Sequence, residues 1–169
     1  MQATTERAID PVALAAWQAF LRAHAVLIRT LERELVAAEA LPLAEYDVLV
    51  QLDQAPEGRL RMAQLADRVL LSRSGLTRLV ERMEAAGLVR REVCPSDARG
   101  AFATMTQEGG RQLARSSVVH LRSLQDHFAG PLDSRLMGQL QEACERLLEG
   151  SPEEPTRCPM AEGSGAEEE

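Results

Sequence analysis

The first forty residues carry an apolar pattern with the seven-residue period of a coiled-coil helix. Asp10-Pro11 predicts the helix start, because Asp caps a helix and Pro fits its first turn. No Gly or Pro interrupts the stretch before Leu41. The repeating positions are Leu14, Leu21, Ile28 and Leu35 in one series and Trp17, His24 and Leu31 in the other. Such a seam requires a covering helix, so we expect a dimerisation helix here, with packing on the C-terminal helices as the alternative.

Residues 42–105 predict a domain of short helices that ends in a hairpin. Pro42 breaks the long helix, and the next helix ends at the turn Pro56-Glu57-Gly58. Two further helices follow, of which the second has Ser72 as its N-cap and Gly87 as its left-handed end. Residues 89–93 and 101–105 then flank a turn-forming stretch and predict two strands with a polar, basic tip.

The rest of the chain predicts two helices and a tail. Thr106 caps a helix to about Phe128, and another follows Gly130-Pro131. From residue 150 onward Pro, Gly, Ser and Glu dominate, which is typical of disorder. The expected fold class is mainly α with a small β-wing (α+β), a winged helix-turn-helix with N- and C-terminal dimerisation helices. The expected boundaries are 1–41 for the N-terminal dimerisation helix, 42–105 for the winged helix-turn-helix, 106–149 for the C-terminal dimerisation helices and 150–169 for a disordered acidic tail.

The charge of the chain is divided unevenly along its length. The net charge of −7 by itself argues against a nucleic-acid partner. Residues 59–115, however, hold 11 Arg and 6 acidic residues. This asymmetry indicates one basic face within an acidic protein, which is typical of a DNA-binding domain. All 19 basic residues are Arg, whose forked guanidinium forms bidentate contacts that Lys does not form.

The helix after Ser72 separates apolar from polar residues. Its apolar stripe is Leu76, Leu79, Val80 and Met83, and its opposite face holds Ser74, Thr77, Arg78 and Glu81, with Arg73 and Arg82 on the flanks. Arginines and hydroxyls facing outward suit the major groove of DNA. At the hairpin tip, Arg99 is placed to enter the minor groove while Asp97 holds its guanidinium. The alternatives are a solvated surface helix and an ordinary charged turn. The residues predicted to contact DNA are Ser72, Arg73, Ser74, Gly75, Thr77, Arg78, Arg82, Asp97 and Arg99.

These motifs resemble the MarR family of bacterial regulators. They are Leu65-Ala66-Asp67, the run SRSGLTRLVERMEAAGLVRR at 72–91, Asp97-x-Arg99-Gly100 and Met105-Thr106-x-x-Gly109. The resemblance covers roughly residues 10–149, and the exclusive use of Arg indicates a GC-rich, actinomycete-like genome. The resemblance to the MarR family implies an obligate homodimer with interlocked terminal helices and two winged lobes on pseudo-palindromic DNA. It also implies repression that is relieved by a small ligand or by oxidation. Ala98 departs from the family, which often has an Arg there.

The effector site is predicted from aromatic and imidazole side chains. Trp17, Phe20 and His24 lie on neighbouring faces of the first helix, and His120 lies on a later one. They are candidates to bind an aromatic or anionic molecule, and the alternative is that Trp17 and His24 belong to the dimer seam. His24, His120 and His127 lack a matched carboxylate cluster, so no metal site is expected.

Cysteine usage leaves one redox hypothesis open. Cys94 lies near Arg90 and Arg91, whose charge would favour a reactive thiolate. Cys144 falls on an apolar helix stripe and Cys158 falls in the tail. The favoured alternative is that all three cysteines are unreactive thiols.

The motifs of the common enzyme classes are missing from the sequence, including the P-loop, G-x-G-x-x-G, H-E-x-x-H and G-x-S-x-G. The sequence has no run of about 18 apolar residues, so no membrane span is predicted. Its first residues also lack the pattern of a signal peptide. We therefore expect a cytoplasmic, nucleoid-associated regulator without a cofactor, which binds specific double-stranded DNA as a homodimeric repressor released by a small effector. The alternatives are a redox-responsive regulator that uses Cys94 and a non-catalytic winged-helix module for protein interaction or DNA architecture.

Overall fold

A computed structural model describes residues 9–69, 71–94 and 97–149, and for residues 93–94 and 97–100 it describes the backbone alone. The fold is mainly α with a small antiparallel sheet, which confirms the expected class. The elements are α1 (Pro11–Ala37), α2 (Leu43–Asp53), a 3₁₀ turn (Pro56–Gly58), β1 (Arg59–Arg61), α3 (Met62–Arg68), α4 (Arg73–Ala85), β2 (Val89–Cys94), β3 (Asp97–Met105), α5 (Gln107–Leu124), a π-helical turn (Gln125–Ala129) and α6 (Ser134–Glu149). The expected tail at 150–169 lies outside the described residues.

Helix α1 begins where the sequence predicts and ends four residues early. The Asp10 carboxylate accepts a hydrogen bond of 2.9 Å from the backbone N–H of Val12. The helix ends at Ala37 rather than Leu41, because Glu39 adopts a left-handed conformation with φ of 53°. Backbone bonds from Glu39 and Ala40 to preceding carbonyls then close a Schellman motif. The stop was not predicted because Glu39 occupies the left-handed position that usually holds Gly.

The apolar seam of α1 is covered only at its C-terminal end. Leu31 and Leu35 are buried, whereas Leu14, Trp17 and Leu21 are exposed. By length and composition alone, an 18-residue part of α1 is also sufficient to span a membrane. None of that part is buried within the single chain, in agreement with the exposed apolar seam of α1.

The sheet has three antiparallel strands in the order β1-β3-β2. Leu60 of β1 pairs with Ala103, and Val89 of β2 pairs with Met105. The expected hairpin is confirmed as β2 and β3, whose strands extend further than predicted, to Cys94 and from Asp97, and β1 adds a third strand that was not predicted. A three-residue strand with one buried side chain is too short to show alternation in the sequence.

The hydrophobic core lies between α2, α3, α4 and the inner face of the sheet. The predicted apolar stripe of α4 is buried in it, as expected. Its fully enclosed side chains include Leu49, Leu52, Leu65, Leu76, Val80, Met83 and Val89. This core fixes the orientation of α4 and leaves its opposite face toward solvent.

The C-terminal helices follow the predicted order with one irregularity. Helix α5 is α-helical only to Leu124, and a π-helical turn then continues to Ala129, where Gly130 N–H donates to the Gln125 carbonyl at 2.7 Å. Asp133 caps α6 by accepting a hydrogen bond from Leu136 N–H at 2.7 Å. Helix α6 buries none of its residues in the single chain.

Candidate nucleic-acid interface

The N-terminus of α4 is capped as the sequence predicts. The Ser72 hydroxyl accepts the Gly75 N–H at 3.1 Å and lies 3.3 Å from the Ser74 hydroxyl. A Cβ on Gly75 would meet the Ser72 hydroxyl at 3.1 Å, a tight contact, so a glycine suits this cap. The Ser72 hydroxyl therefore satisfies one N–H group of the first turn of α4, and the other N–H groups of that turn remain available at the helix N-terminus.

Helix α4 presents two arginines that no carboxylate neutralises within the described chain. Arg73 and Arg78 are exposed and form no ion pair there. Thr77 turns its hydroxyl toward the Arg73 carbonyl at 2.9 Å. Arg82 lies within electrostatic influence of Glu45, whose pKa is raised by burial and partly lowered again by that guanidinium. Arg82 forms no ion pair in the described chain either, so all three arginines contribute to the positive charge of this face.

The end of α4 is tied firmly to the wing. Gly87 has φ of 72°, and the Leu88 N–H donates to the Met83 carbonyl at 2.9 Å, which completes the predicted helix end. Arg91 Nε lies 2.8 Å from Glu84, and hydrogen bonds from Arg91 lower the pKa of that carboxyl. Arg91 is therefore a structural link, and its guanidinium is already occupied.

Thr106 joins α4, β2 and α5 at one point. Its hydroxyl donates toward the carbonyls of Gly87 and Leu88, at 2.7 and 3.0 Å, and accepts the Gly109 N–H at 3.0 Å. A Cβ on Gly109 would overlap the Leu88 carbonyl oxygen. The start of α5 therefore lies against the end of the α4 segment without room for a side chain.

The wing tip is described by its backbone only. Cys94 pairs with Asp97 after a register irregularity between Val93 and Cys94. Asp97 and Arg99 belong to β3, but their side chains lie outside the described residues, as does that of Cys94. The proposed contact between Asp97 and Arg99 and the redox role of Cys94 stay predictions, and Cys158 lies outside the described chain.

Sequence reasoning missed two arginines on the outer face of the sheet. Arg59 and Arg61 place their guanidinium carbons 5.4 and 5.2 Å from the centroid of the Phe102 ring. Arg59 also forms an ion pair of 2.6 Å with Glu57. The Arg-Leu-Arg alternation was the available signal, since alternate residues of a strand share a face.

A cavity of about 1200 Å³ lies between α1, α2 and α5. Of the four effector candidates only His120 lines it, whereas Trp17, Phe20 and His24 stack along an exposed part of α1 at centroid distances of 6.2 and 6.5 Å. The His120 ring lies 4.5 Å from that of Tyr46, and its buried Nδ1 has no hydrogen-bond partner in the described chain. The cavity is also lined by Arg29, Arg33 and Asp47, which the sequence did not single out.

Burial sets the protonation of the cavity wall. It lowers the pKa of His120 and raises that of Asp47. The carboxyl groups of Glu32 and Asp47 and the guanidinium groups of Arg29 and Arg33 line the cavity together, so its polar groups carry both signs of charge within a mainly apolar wall. The described residues hold no cluster of three metal-ligating side chains, and Cys144 is a half-buried free thiol on α6.

Residues 41–100 match the MarR family. The crystal structure of AbsC, a MarR family transcriptional regulator from Streptomyces coelicolor, is 33% identical, covers 85% of this chain and 96% of its own, and has a TM-score of 0.78. Sco3205 from the same organism, solved in complex with DNA, is 33% identical over 87% and 92% of the two chains, with a TM-score of 0.81. Escherichia coli O111:H- HosA, a transcriptional regulator, is 34% identical over 84 residues, which are 50% of this chain and 58% of HosA. These relatives are transcriptional regulators and not enzymes, in agreement with the sequence motifs.

Proposed function

Because the chain belongs to the MarR family of transcriptional regulators, we propose that it binds a pseudo-palindromic operator in double-stranded DNA as a homodimeric repressor. The observation that carries the proposal is the outward face of α4, where Arg73 and Arg78 are exposed without a carboxylate partner in the described chain. The complex of the similar protein Sco3205 with DNA supports the same function. Such a regulator acts in the cytoplasm, on the nucleoid.

In this proposal α4 is the recognition helix. Arg78, near the middle of its outward face, pairs with a base edge in the major groove, and Ser74 and Thr77 contact bases or phosphates. Arg73, in the first turn, lies beside the outward N–H groups that favour a phosphate. Arg99 of the wing enters the minor groove, where it reads groove width more than base identity.

In a homodimer, the partner subunit would cover the apolar surfaces that are exposed in the single chain. Leu14, Trp17 and Leu21 of α1 are exposed, as are Val118 and Leu121 of α5 and Leu136 and Leu147 of α6. Exposed apolar groups grouped on a few helices are typical of an interface. We therefore assign dimerisation to residues 1–41 and 106–149, and DNA binding to residues 42–105.

The effector binds in the cavity between α1, α2 and α5. Its wall combines apolar side chains with the guanidinium groups of Arg29 and Arg33, the carboxyl groups of Glu32 and Asp47, and an Nδ1 of His120 that has no hydrogen-bond partner in the described chain. This chemistry suits an aromatic or anionic small molecule, as pockets with an apolar wall and a few polar groups generally do. The cavity contacts α1 and α5, so a bound ligand alters the relation between the dimerisation helices and the DNA-binding lobe.

The test is a mobility-shift titration with the purified chain and DNA fragments from upstream of its gene and the neighbouring genes. We expect discrete complexes that survive an excess of random-sequence competitor. Equal affinity for every fragment would contradict a sequence-specific regulator and favour an architectural protein. No binding to any fragment would favour a protein-interaction module. The same complexes then serve to screen aromatic acids for release of the DNA.

A further inference from the structure

The arginines around the recognition helix differ in whether a carboxylate already neutralises them. Arg73 and Arg78 have no ion pair in the described chain. Three arginines nearby are paired: Arg59 with Glu57 at 2.6 Å, Arg90 with Glu92 at 2.6 Å and Arg91 with Glu84 at 2.8 Å. Within the described DNA-binding lobe, Arg73, Arg78 and Arg82 thus form a group without ion pairs on one helix, which makes α4 a favourable place in this lobe for an anionic partner.

Residues 150–169 are the most acidic part of the chain. They contain six Glu and one Arg, with Glu153-Glu154 and Glu167-Glu168-Glu169 as runs. We propose that this segment docks on Arg73 and Arg78 within the dimer and competes there with DNA phosphates. The inference rests on the proposed DNA-binding function of α4, and it assigns that face a second, internal ligand.

The length of the segment is sufficient for this contact. Twenty residues span at most about 65–70 Å when extended. A domain of this size has a radius of gyration of about 14–15 Å. A segment that follows α6 at Glu149 therefore reaches any face of its own lobe, and carboxylates at its far end reach α4 from either side.

Magnitudes decide what such a contact does. Exposed ion pairs are individually weak, so a few of them change an equilibrium by only about tenfold. A tethered segment acts at an effective concentration on the order of millimolar. Because the segment and DNA exclude each other at α4, the segment lowers the apparent affinity for non-specific DNA and for the operator by the same factor, which is set by the fraction of molecules whose α4 face is free. A reduction of about fivefold leaves the operator strongly bound, at Kd of about 10⁻⁸–10⁻¹¹ M, and weakens further the non-specific binding, whose Kd is on the order of 10⁻⁴–10⁻⁶ M.

A matched pair of full-length variants tests the docking. One carries Glu167→Gln, Glu168→Gln and Glu169→Gln, and the other removes three exposed carboxylates elsewhere, by Glu39→Gln, Asp53→Asn and Asp126→Asn. We expect the first variant to bind a random-sequence duplex about fivefold more tightly in 0.1 M salt. The operator affinity of this variant should rise by the same factor, and the control variant should change less than twofold on either DNA. Equal gains in both variants would reduce the effect to general repulsion, and no gain in either would overturn the proposal.

A measurement without DNA separates this inference from the proposed function. In the natural chain, NMR resonances of the Arg73 and Arg78 Nε–H groups should differ from those of the Glu167→Gln, Glu168→Gln, Glu169→Gln variant, and 1 M salt should remove the difference. Identical spectra would overturn the docking even if DNA binding is established. Shifted spectra in a protein that binds no operator would leave the docking standing and contradict the proposed function.

Discussion

The two arginines of the α4 face lie in different surroundings along the helix. Arg78 lies near the middle of its outward face, and we expect Arg78→Ala to weaken operator binding by about 1–3 kcal/mol and to relax base preference at one position of each half-site. Fluorescence anisotropy with a set of operator variants measures both effects. Arg111→Ala is the control, since Arg111 is exposed on α5 and pairs with Glu108 at 3.4 Å. An equal loss on operator and random DNA would assign Arg78 to a phosphate instead of a base.

His120 makes the protein less stable as the pH falls. Burial lowers its pKa below the ordinary value of 6.5, so the folded protein holds a neutral imidazole while the unfolded chain takes up a proton below that value. The stabilisation is therefore complete above about pH 6.5 and declines as the pH falls toward the folded pKa. We expect His120→Phe to lose less Tm between pH 7.5 and 5.5 than the natural protein.

The matched control for this measurement is His24→Phe, because His24 lies on the exposed part of α1. It should retain the pH dependence of the natural protein. If both variants follow the natural protein, the His120 imidazole is not the group responsible. If both lose the dependence, the aromatic substitution acts through the dimer helix and not through the cavity.

Single residues with a local role were predicted well from the sequence. Asp10, Ser72, Gly87 and Thr106 each interact within a few positions or at an adjacent chain end, and the structure confirms all four caps and ends. The cavity was predicted poorly. Its wall comes from α1, α2 and α5, which are up to about ninety residues apart. Residue spacing and periodicity are local patterns, so they do not predict which distant helices come into contact.

At the scale of elements, the contact between α5 and the start of β2 depends on a missing side chain. A methyl group on Gly109 would overlap the Leu88 carbonyl oxygen and would lie 3.1 Å from the Met105 Cγ. We expect Gly109→Ala to lower the free energy of unfolding by about 1–3 kcal/mol, since overpacking forces the backbone to shift. Urea denaturation monitored by circular dichroism measures the change.

Gly138→Ala provides the comparison for that substitution. Gly138 is also helical, but a Cβ there meets nothing within 4 Å. The alanine should therefore stabilise α6, by up to about 1 kcal/mol from helix propensity. Destabilisation of similar size in both variants would show that glycine flexibility, and not the close approach to Leu88, matters at position 109.

Elements with long periodic patterns were predictable, and short or irregular ones were not. Helices α1, α4 and α5 begin at the predicted caps because each combines a capping residue with an apolar stripe. Strand β1 has three residues, which is less than the pattern of a strand requires. The π-helical turn arises where Gly130 N–H bonds the Gln125 carbonyl, and no residue preference distinguishes this from a normal helix end.

At the scale of the whole molecule, the exposed seam of α1 predicts that the dimer is the stable form. Leu21→Glu places a charge among exposed apolar residues, and we expect it to raise the dimer dissociation constant at least tenfold, because burying an unpaired carboxylate costs several kcal/mol. Analytical ultracentrifugation measures the constant. Ala19→Glu, on the opposite side of the helix, should leave the dimer intact. A monomeric natural protein at micromolar concentration would contradict the assignment.

The junction at Thr106 makes α5 a rigid lever for the recognition helix. One end of α5 is hydrogen-bonded to the Gly87 and Leu88 carbonyls, and the other is held to α1 through Glu34, which bonds Ser123 and, at 2.7 Å, His127. Its 18 residues make a rod of about 27 Å. A tilt of about 10° at one end then displaces the other by about 5 Å, which exceeds the rise of about 3.4 Å between successive base pairs. In a dimer with two such rods, a slight change in the angle between the α5 helices therefore changes the spacing of the two recognition helices enough to lose their register with the DNA.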